Sequence, residues 1–295
     1  MGKRVAVYGV ILGLYVVLSS VFTLAEAAGH GKAAEKKTGI LLVAFGSSKP
    51  EAQVAFDNID RMVNEKFKGI PVRWAYTSHI IRKKLAKQGI LLDSPEVAVA
   101  KMIDENFTHV AVQSLHTIIG YEYDDLRHTV DAFKIMGAFD NIILGEPLLA
   151  AQEDMARAVD AVLATIPPDR KKRDAVLLMG HGSHHPANAF YAALMFQVQL
   201  KDPNIYIGTV EGFPEIDLIK SWLQDKNIKK AYLMPFMSVA GDHARKDMAG
   251  PEEDSWLSVL TKAGIECVPV LKGTAEYDEY VNIWVSHIEK SLAHF

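Results

Sequence analysis

The chain has 295 residues, of which 49% are hydrophobic and 23% charged, so it can bury one large core or two modest ones and is too apolar to be disordered. A formal net charge of -4 argues against a nucleic-acid partner, which selects for a basic surplus. The patterns GxxxxGK[ST], GxGxxG and GxSxG are all absent, so neither a nucleotide loop nor a nucleophile elbow is expected.

Taken in order, the chain opens with Lys3 and Arg4, an apolar run from Val5 to Leu24, and the small-x-small triplet Ala25-Glu26-Ala27. That pattern predicts a signal peptide over residues 1–27 and a periplasmic mature protein, with an uncleaved anchor as the alternative. Residues 28–38, polar and lysine-rich, read as a flexible leader. Beyond it no apolar run is long enough to span a membrane. The only cysteine, Cys267, rules out an intrachain disulfide and reads as a buried strand thiol.

From Ile40 onward, short apolar runs alternate with amphipathic ones, the pattern of βαβ units and a parallel sheet. Strands are expected at Ile40–Phe45, Val72–Tyr76, Val110–Ser114 and Ile142–Leu144. Helices are expected at Glu51–Phe67, at His79–Gln88, after Ser94-Pro95, at Asp124–Met136 and at Ala150–Ile166. Two prolines and a charge cluster make residues 167–174 a surface linker. The pattern then restarts, with strands at Ala175–Met179, Ile205–Val210, Lys230–Met234 and Glu266–Val270. Helices at Ala187–Leu200, Pro214–Asp225, Glu252–Ala263 and Tyr277–Leu292 complete it. The expected fold is α/β: two pseudo-symmetric doubly wound domains, at 39–166 and 175–295, each with a four-stranded, mainly parallel sheet flanked by helices.

Two local matches support a repeat. Ala44-Phe45-Gly46-Ser47 aligns with Gly180-His181-Gly182-Ser183, and the stretch from Ser114 to Glu122 aligns with that from Pro235 to His243. In this register Phe45 takes the place of His181 and Glu122 that of His243. Parallel strands share a carboxyl edge, so His181, Glu211 and His243 can converge there although they lie tens of residues apart. Two imidazoles and a carboxylate suit a borderline divalent metal, held in an open site. Taken singly, Glu211 also reads as a cap for the helix near Pro214, and His243 as a surface residue of a polar loop. His116 lies in a loop at the same edge, as a cleft residue or an accessory ligand. His184 and His185 read as helix-start residues, and His109, His287 and His294 as surface residues.

These residues carry a resemblance. Gly180-His181-Gly182-Ser183, Ser114-Leu115-His116 and Gly241-Asp242-His243, in that arrangement, resemble the anaerobic cobaltochelatases of cobalamin biosynthesis, single-subunit ATP-independent chelatases with a ferrochelatase-like fold. The resemblance runs from about Lys37 to the end. It implies insertion of Co2+ into sirohydrochlorin between two pseudo-symmetric domains, with metal held at His181 and His243, an acidic residue at Glu211, and Glu122 as a further cleft carboxylate. Glu211, helped by His181, would take the pyrrole protons. An export signal is at odds with a cytoplasmic pathway, which leaves Fe2+ and haem-related tetrapyrroles as alternatives. Arg82-Lys83-Lys84, which also reads as a solvated helix face, and Arg245-Lys246 are candidates for the carboxylates of the ring. Phe45, Leu115, Phe236, Met237 and Val239, each equally readable as core, are candidates for its face. A haem on His116 or His128, and a homo-oligomer, are compatible with the sequence. Two rivals remain: a histidine phosphatase, which would want an arginine where Gly180 stands, and an exported metal- or haem-binding carrier.

Overall fold

The computed structural model describes residues 35–295, so the expected signal peptide and most of the leader lie outside the described residues. From Lys37 to Phe295 the chain forms one compact unit. Its first strand, β1 (Thr38–Ala44), is apolar and buried almost throughout, as a strand covered by helices on both faces must be. It pairs in parallel with β2 (Val72–Tyr76) on one side and β3 (His109–Ser114) on the other, and β4 (Asn141–Gly145) completes the sheet in the order β2-β1-β3-β4.

Helix α1 (Gln53–Lys66) links β1 to β2. The chain then makes an excursion over the carboxyl edge that carries α2 (His79–Ala86), capped by the Ser78 hydroxyl, and returns where the Asp93 carbonyl accepts from the Tyr76 amide. Helix α3 (Pro95–Asp104) starts on the expected serine cap and first-turn proline. After β3 comes α4 (Tyr121–Ile135), and after β4 comes α5 (Gln152–Ala164).

The second half repeats this plan. Strand β5 (Ala175–Gly182) is central, flanked by β6 (Ile205–Glu211) and β7 (Lys230–Pro235), with β8 (Glu266–Pro269) at the edge, in the order β6-β5-β7-β8. The helices are α6 (Ala189–Gln199), α7 (Ile216–Asp225), α8 (Trp256–Lys262) and α9 (Asp278–Leu292). Strand β5 runs three residues past its expected end, because β6 keeps pairing with it as far as Gly182 and Glu211. His181 is therefore held in a strand.

The repeat seen in the sequence is a repeat of hydrogen bonds. The Leu115 amide donates to the Val43 carbonyl, and the Phe236 amide donates to the aligned Met179 carbonyl. Gly120 donates to Ile118 as Gly241 does to Val239, and Asp124 donates to Gly120 as Arg245 does to Gly241. The aligned glycines Gly46 and Gly182 both sit in the left-handed region, at φ of 101° and 81°. Each turns the chain sharply off its central strand, a conformation a side chain resists.

Three details depart from the sequence reading. The last helix of the second half, α9, packs against β3 and β4 of the first sheet and against α1 and α5, while α5 packs on α6. Each half thus lends its closing helix to the other, and the largest apolar cluster runs through both. His287, expected at the surface, is 4% exposed on α9, with its ring nitrogens on the Glu146 carbonyl and the Asp154 carboxylate. The linker is also fixed. Arg170 is buried, its Nη2 donating to Asp202 Oδ1 at 3.1 Å, and is not part of a solvated basic face. Burial pushes the Asp202 carboxyl up, but the Arg170 bonds outweigh it and hold the group below its ordinary value. Cys267 is half-buried on β8, and burial pushes its thiol up to about 11, so it stays protonated and unreactive at neutral pH.

Gly182→Ala should be severely destabilising. A Cβ there would lie 1.7 Å from the Glu211 carbonyl oxygen, at a φ that L side chains resist. A loss of at least about 2 kcal/mol is expected in the denaturant midpoint analysis.

Candidate functional site

A parallel sheet offers its ligand crevice at the carboxyl edge, where the chain order reverses direction. In both sheets that reversal lies between the first and third strands of the half. The flanking segments are therefore those after β1 and β3, and those after β5 and β7. His181 stands at the end of β5, and His243 closes the segment after β7.

The structure brings these two imidazoles together, with ring centroids 4.7 Å apart and planes crossed at 88°. His181 Nδ1 is 3.1 Å from the Gly182 carbonyl oxygen, which only accepts, so Nδ1 carries the proton. His243 Nδ1 is 2.6 Å from Asp247 Oδ2, one turn further along a short π-helix, Ala244–Met248. Both tautomers follow from these partners, and both leave Nε2 with a free lone pair. This is how metal-binding histidines are commonly set: one nitrogen anchored, the other open.

Glu211 does not join them in a closed set. It ends β6 with its backbone in register with Gly182, and its side chain is exposed, with no hydrogen bond or ion pair. It does not cap α7 either, since that helix begins after Glu215. Among the described residues no three His, Cys, Asp or Glu side chains form a ready metal cage. What is assembled is a two-imidazole pair with a carboxylate on the adjacent strand.

The two carboxyl edges meet around this pair. Lys49, after β1, forms an ion pair with Asp242 at 3.0 Å, and its ammonium holds the Asp242 carboxyl below its ordinary value. Ser47 lies beside Gly241. On the other flank His185 Nε2 is 3.3 Å from Asp124 Oδ2 and its ring meets Tyr121 edge-on at 5.0 Å. His185 also caps the turn that begins at Pro186, as a helix-start residue would. Glu122, in the first turn of α4, is half-buried and has no hydrogen-bond partner.

His116 follows β3, with Nδ1 2.8 Å from the Ser114 hydroxyl. Its Nε2 is sealed from solvent and has no partner, and burial pushes the imidazole down to about 4, so it is neutral at physiological pH. In this position it offers no open face to a haem iron. Of the apolar residues expected on the ring, Leu115 and Phe236 are buried at 1% and 0% exposure and belong to the core. Phe45 is 42% exposed, and Met237 and Val239 are half-buried.

Asp247, Lys49 and Asp124 escape the sequence reading. Only Asp247 left a signal there, its spacing of four residues after His243. A cavity of about 850 Å³ opens at the opposite, amino edge of the second sheet, but its carboxylates are engaged: Asp169 with Tyr232 and Glu266 with Lys230.

Two solved structures share this fold. SirB from Bacillus subtilis, determined with Fe3+, aligns with a TM-score of 0.60 at 14% identity, over 88% of this chain and 96% of that one. CbiX, described as the terminal enzyme of sirohaem biosynthesis in denitrifying bacteria, aligns at 0.50 and 13%, over 85% and 98%. These two likenesses show a shared two-sheet fold. A family model for cobalt chelatase (CbiK) matches residues 38–293, and the chain belongs to that family. It is 46% identical to the sirohydrochlorin cobaltochelatase CbiKC of Nitratidesulfovibrio vulgaris, over 87% of this chain and 91% of that protein. It is 34% identical to the sirohydrochlorin cobaltochelatase of Salmonella typhimurium, over 87% and 97%.

Asp247→Ala should free the His243 ring to rotate and weaken Co2+ binding about 10–100-fold, measured by absorption titration. Asp247→Asn keeps an oxygen that accepts from Nδ1 and should retain most of the affinity.

Proposed function

We propose that this chain inserts Co2+ into sirohydrochlorin without a nucleotide, using His181 and His243 to hold the ion and Glu211 to take protons. The observation that carries the proposal is the pair of crossed imidazoles with both Nε2 atoms free at the junction of two carboxyl edges. Cobalt chelatase membership and the names of the curated relatives point the same way.

Insertion requires the ion to shed water and the macrocycle to release two N–H protons as the metal takes their place. Neutral imidazole nitrogens suit borderline divalent ions, and two of them replace part of the hydration shell. Two protein ligands hold an ion more loosely than a closed cage of four, which leaves positions open for the ring nitrogens. Glu211 is exposed one strand away and unbonded, so its carboxylate is free to accept a pyrrole proton. A positioned base of this kind contributes about 10²–10⁴-fold. Phe45, exposed at the position that aligns with His181, supplies an apolar surface for one face of the ring. The same proposal makes the protein periplasmic, on the strength of Lys3, Arg4, the apolar run and Ala25-Glu26-Ala27.

The test is anaerobic incubation of the purified protein with sirohydrochlorin and Co2+ or Fe2+, without ATP, followed by absorption. Conversion of the spectrum with Co2+, faster than with Fe2+, is expected. Faster conversion with Fe2+ would reassign the metal, and binding without conversion would make the protein a carrier. His181→Ala and His243→Ala should each cost more than the ~10–100-fold that loss of an outer partner costs. Glu211→Gln should lower the insertion rate by about 10²-fold or more while changing Co2+ affinity little. Equal losses in rate and affinity would make Glu211 a plain ligand.

Amino-terminal sequencing of the protein from a periplasmic fraction should begin at Ala28 or Gly29. A chain that keeps Lys3 and Arg4 would refute cleavage.

A further inference from the structure

Among the described residues the arginine side chains are matched, with two exceptions. Arg61 bonds Asp278, Arg73 bonds Glu105, Arg127 bonds Asp124 and Arg170 bonds Asp202. Arg157 donates to the Asn282 carbonyl, and Arg173 pairs with its neighbour Asp174. Among the described residues only the Arg82 and Arg245 guanidinium groups make no hydrogen bond and no ion pair. Both are half-buried, and each has its Nε sealed from solvent without a partner. A buried guanidinium N–H left unmade costs free energy, and the Nη atoms of both side chains, neither bonded nor sealed, are open to an acceptor from outside.

Their placement narrows what that acceptor is. Arg82 lies on α2, in the excursion above the carboxyl edge of the first sheet, and Arg245 lies two residues after His243 at the carboxyl edge of the second. Lys84, on the same helix as Arg82, is among the cations that hold the Asp242 carboxyl below its ordinary value, after Lys49 and Lys246. Lys83 and Lys84 are exposed, so the basic run divides into two exposed lysines and one half-buried arginine. Glu96, the acid whose charge senses Arg82, is bonded to Thr129 at 3.3 Å and forms no ion pair with the arginine. Two more unpartnered groups stand on the same edge: the buried hydroxyls of Ser48, after β1, and Thr77, after β2. All four groups can donate. An acceptor-rich ligand is required, and the planar fork of arginine matches a carboxylate.

The geometry points to Arg82 and Arg245 as a pair of carboxylate clamps, one from each half, that grip acidic arms on the rim of the macrocycle and fix how it sits over the imidazoles. This rests on the reading of the substrate as sirohydrochlorin, whose rim carries acetate and propionate arms. It adds the residues that recognise them.

The test uses the full mature protein and reads binding, not insertion. Uroporphyrin, an octacarboxylate, and its octamethyl ester are titrated by fluorescence quenching, and Co2+ is titrated separately. Arg82→Met and Arg245→Met should each weaken uroporphyrin binding about 10–100-fold, the worth of a hydrogen bond to a charged group. Arg82→Lys and Arg245→Lys keep charge without the fork, should fold as the wild type does, and should recover part of the loss. Ester binding and Co2+ affinity should not change in any variant, and Arg173→Met should bind all three probes as the wild type does.

Uroporphyrin affinity unchanged in the methionine variants, or an equal loss for acid and ester, would overturn the clamps. Weakened uroporphyrin binding in a protein that cannot metallate sirohydrochlorin would leave the clamps standing and remove the functional reading.

Discussion

The strand order second-first-third-fourth, used twice, is the constraint on which the rest of the protein depends. It sets a direction reversal between the first and third strands of each half, and in parallel sheets that reversal opens a crevice only at the carboxyl edge. Whatever the chain places after β5 and β7 must therefore meet at one point. His181 and His243, separated by 62 residues in sequence as their numbers give, arrive with ring centroids 4.7 Å apart for that reason. The left-handed turn at Gly182 completes the delivery, because it directs the chain away from the strand end while its carbonyl anchors the His181 ring.

The two halves share a backbone and divide the chemistry. Equivalent amides find equivalent carbonyls, Leu115 with Val43 and Phe236 with Met179, so the edges have the same shape. The side chains at matching positions differ. Phe45 stands where the second half has His181, Glu122 where it has His243, and Asp124 where it has Arg245. The junction of the two edges thus carries imidazoles from one half and an exposed aromatic ring from the other. Symmetry of the backbone with asymmetry of the side chains gives a site with two distinct walls.

The pair is also held from behind by unequal partners. A neutral carbonyl anchors His181, whereas a carboxylate anchors His243, which makes the second imidazole the more electron-rich donor. Asp242, next to His243, is tied across the junction to Lys49, so the position of that imidazole depends on contact between the halves. Exchange of closing helices strengthens the same contact: α9 covers the first sheet, and α5 packs on α6. His287 and Asp154 are locked together inside this exchanged layer.

Much of this was legible in the chain. Continuous apolar runs marked the strands, because a strand covered on both faces shows no alternation, and amphipathic runs between them marked the helices. The glycine–histidine–glycine ending of β5 and its aligned partner in the first half marked both the repeat and the candidate ligands. These signals are local, and a sequence carries local signals directly. What tertiary structure alone decided was which side chains face which way across long separations. Leu115 and Phe236, readable either as ring contacts or as core, turn into the core. His287 looked exposed but is buried against Asp154. The basic run at Arg82 looked uniformly solvated but hides one unpartnered guanidinium, and Glu211 lies beside the imidazole pair without closing on it. Periodicity fixes the face of an element, but only the packing of one element on another fixes what that face meets.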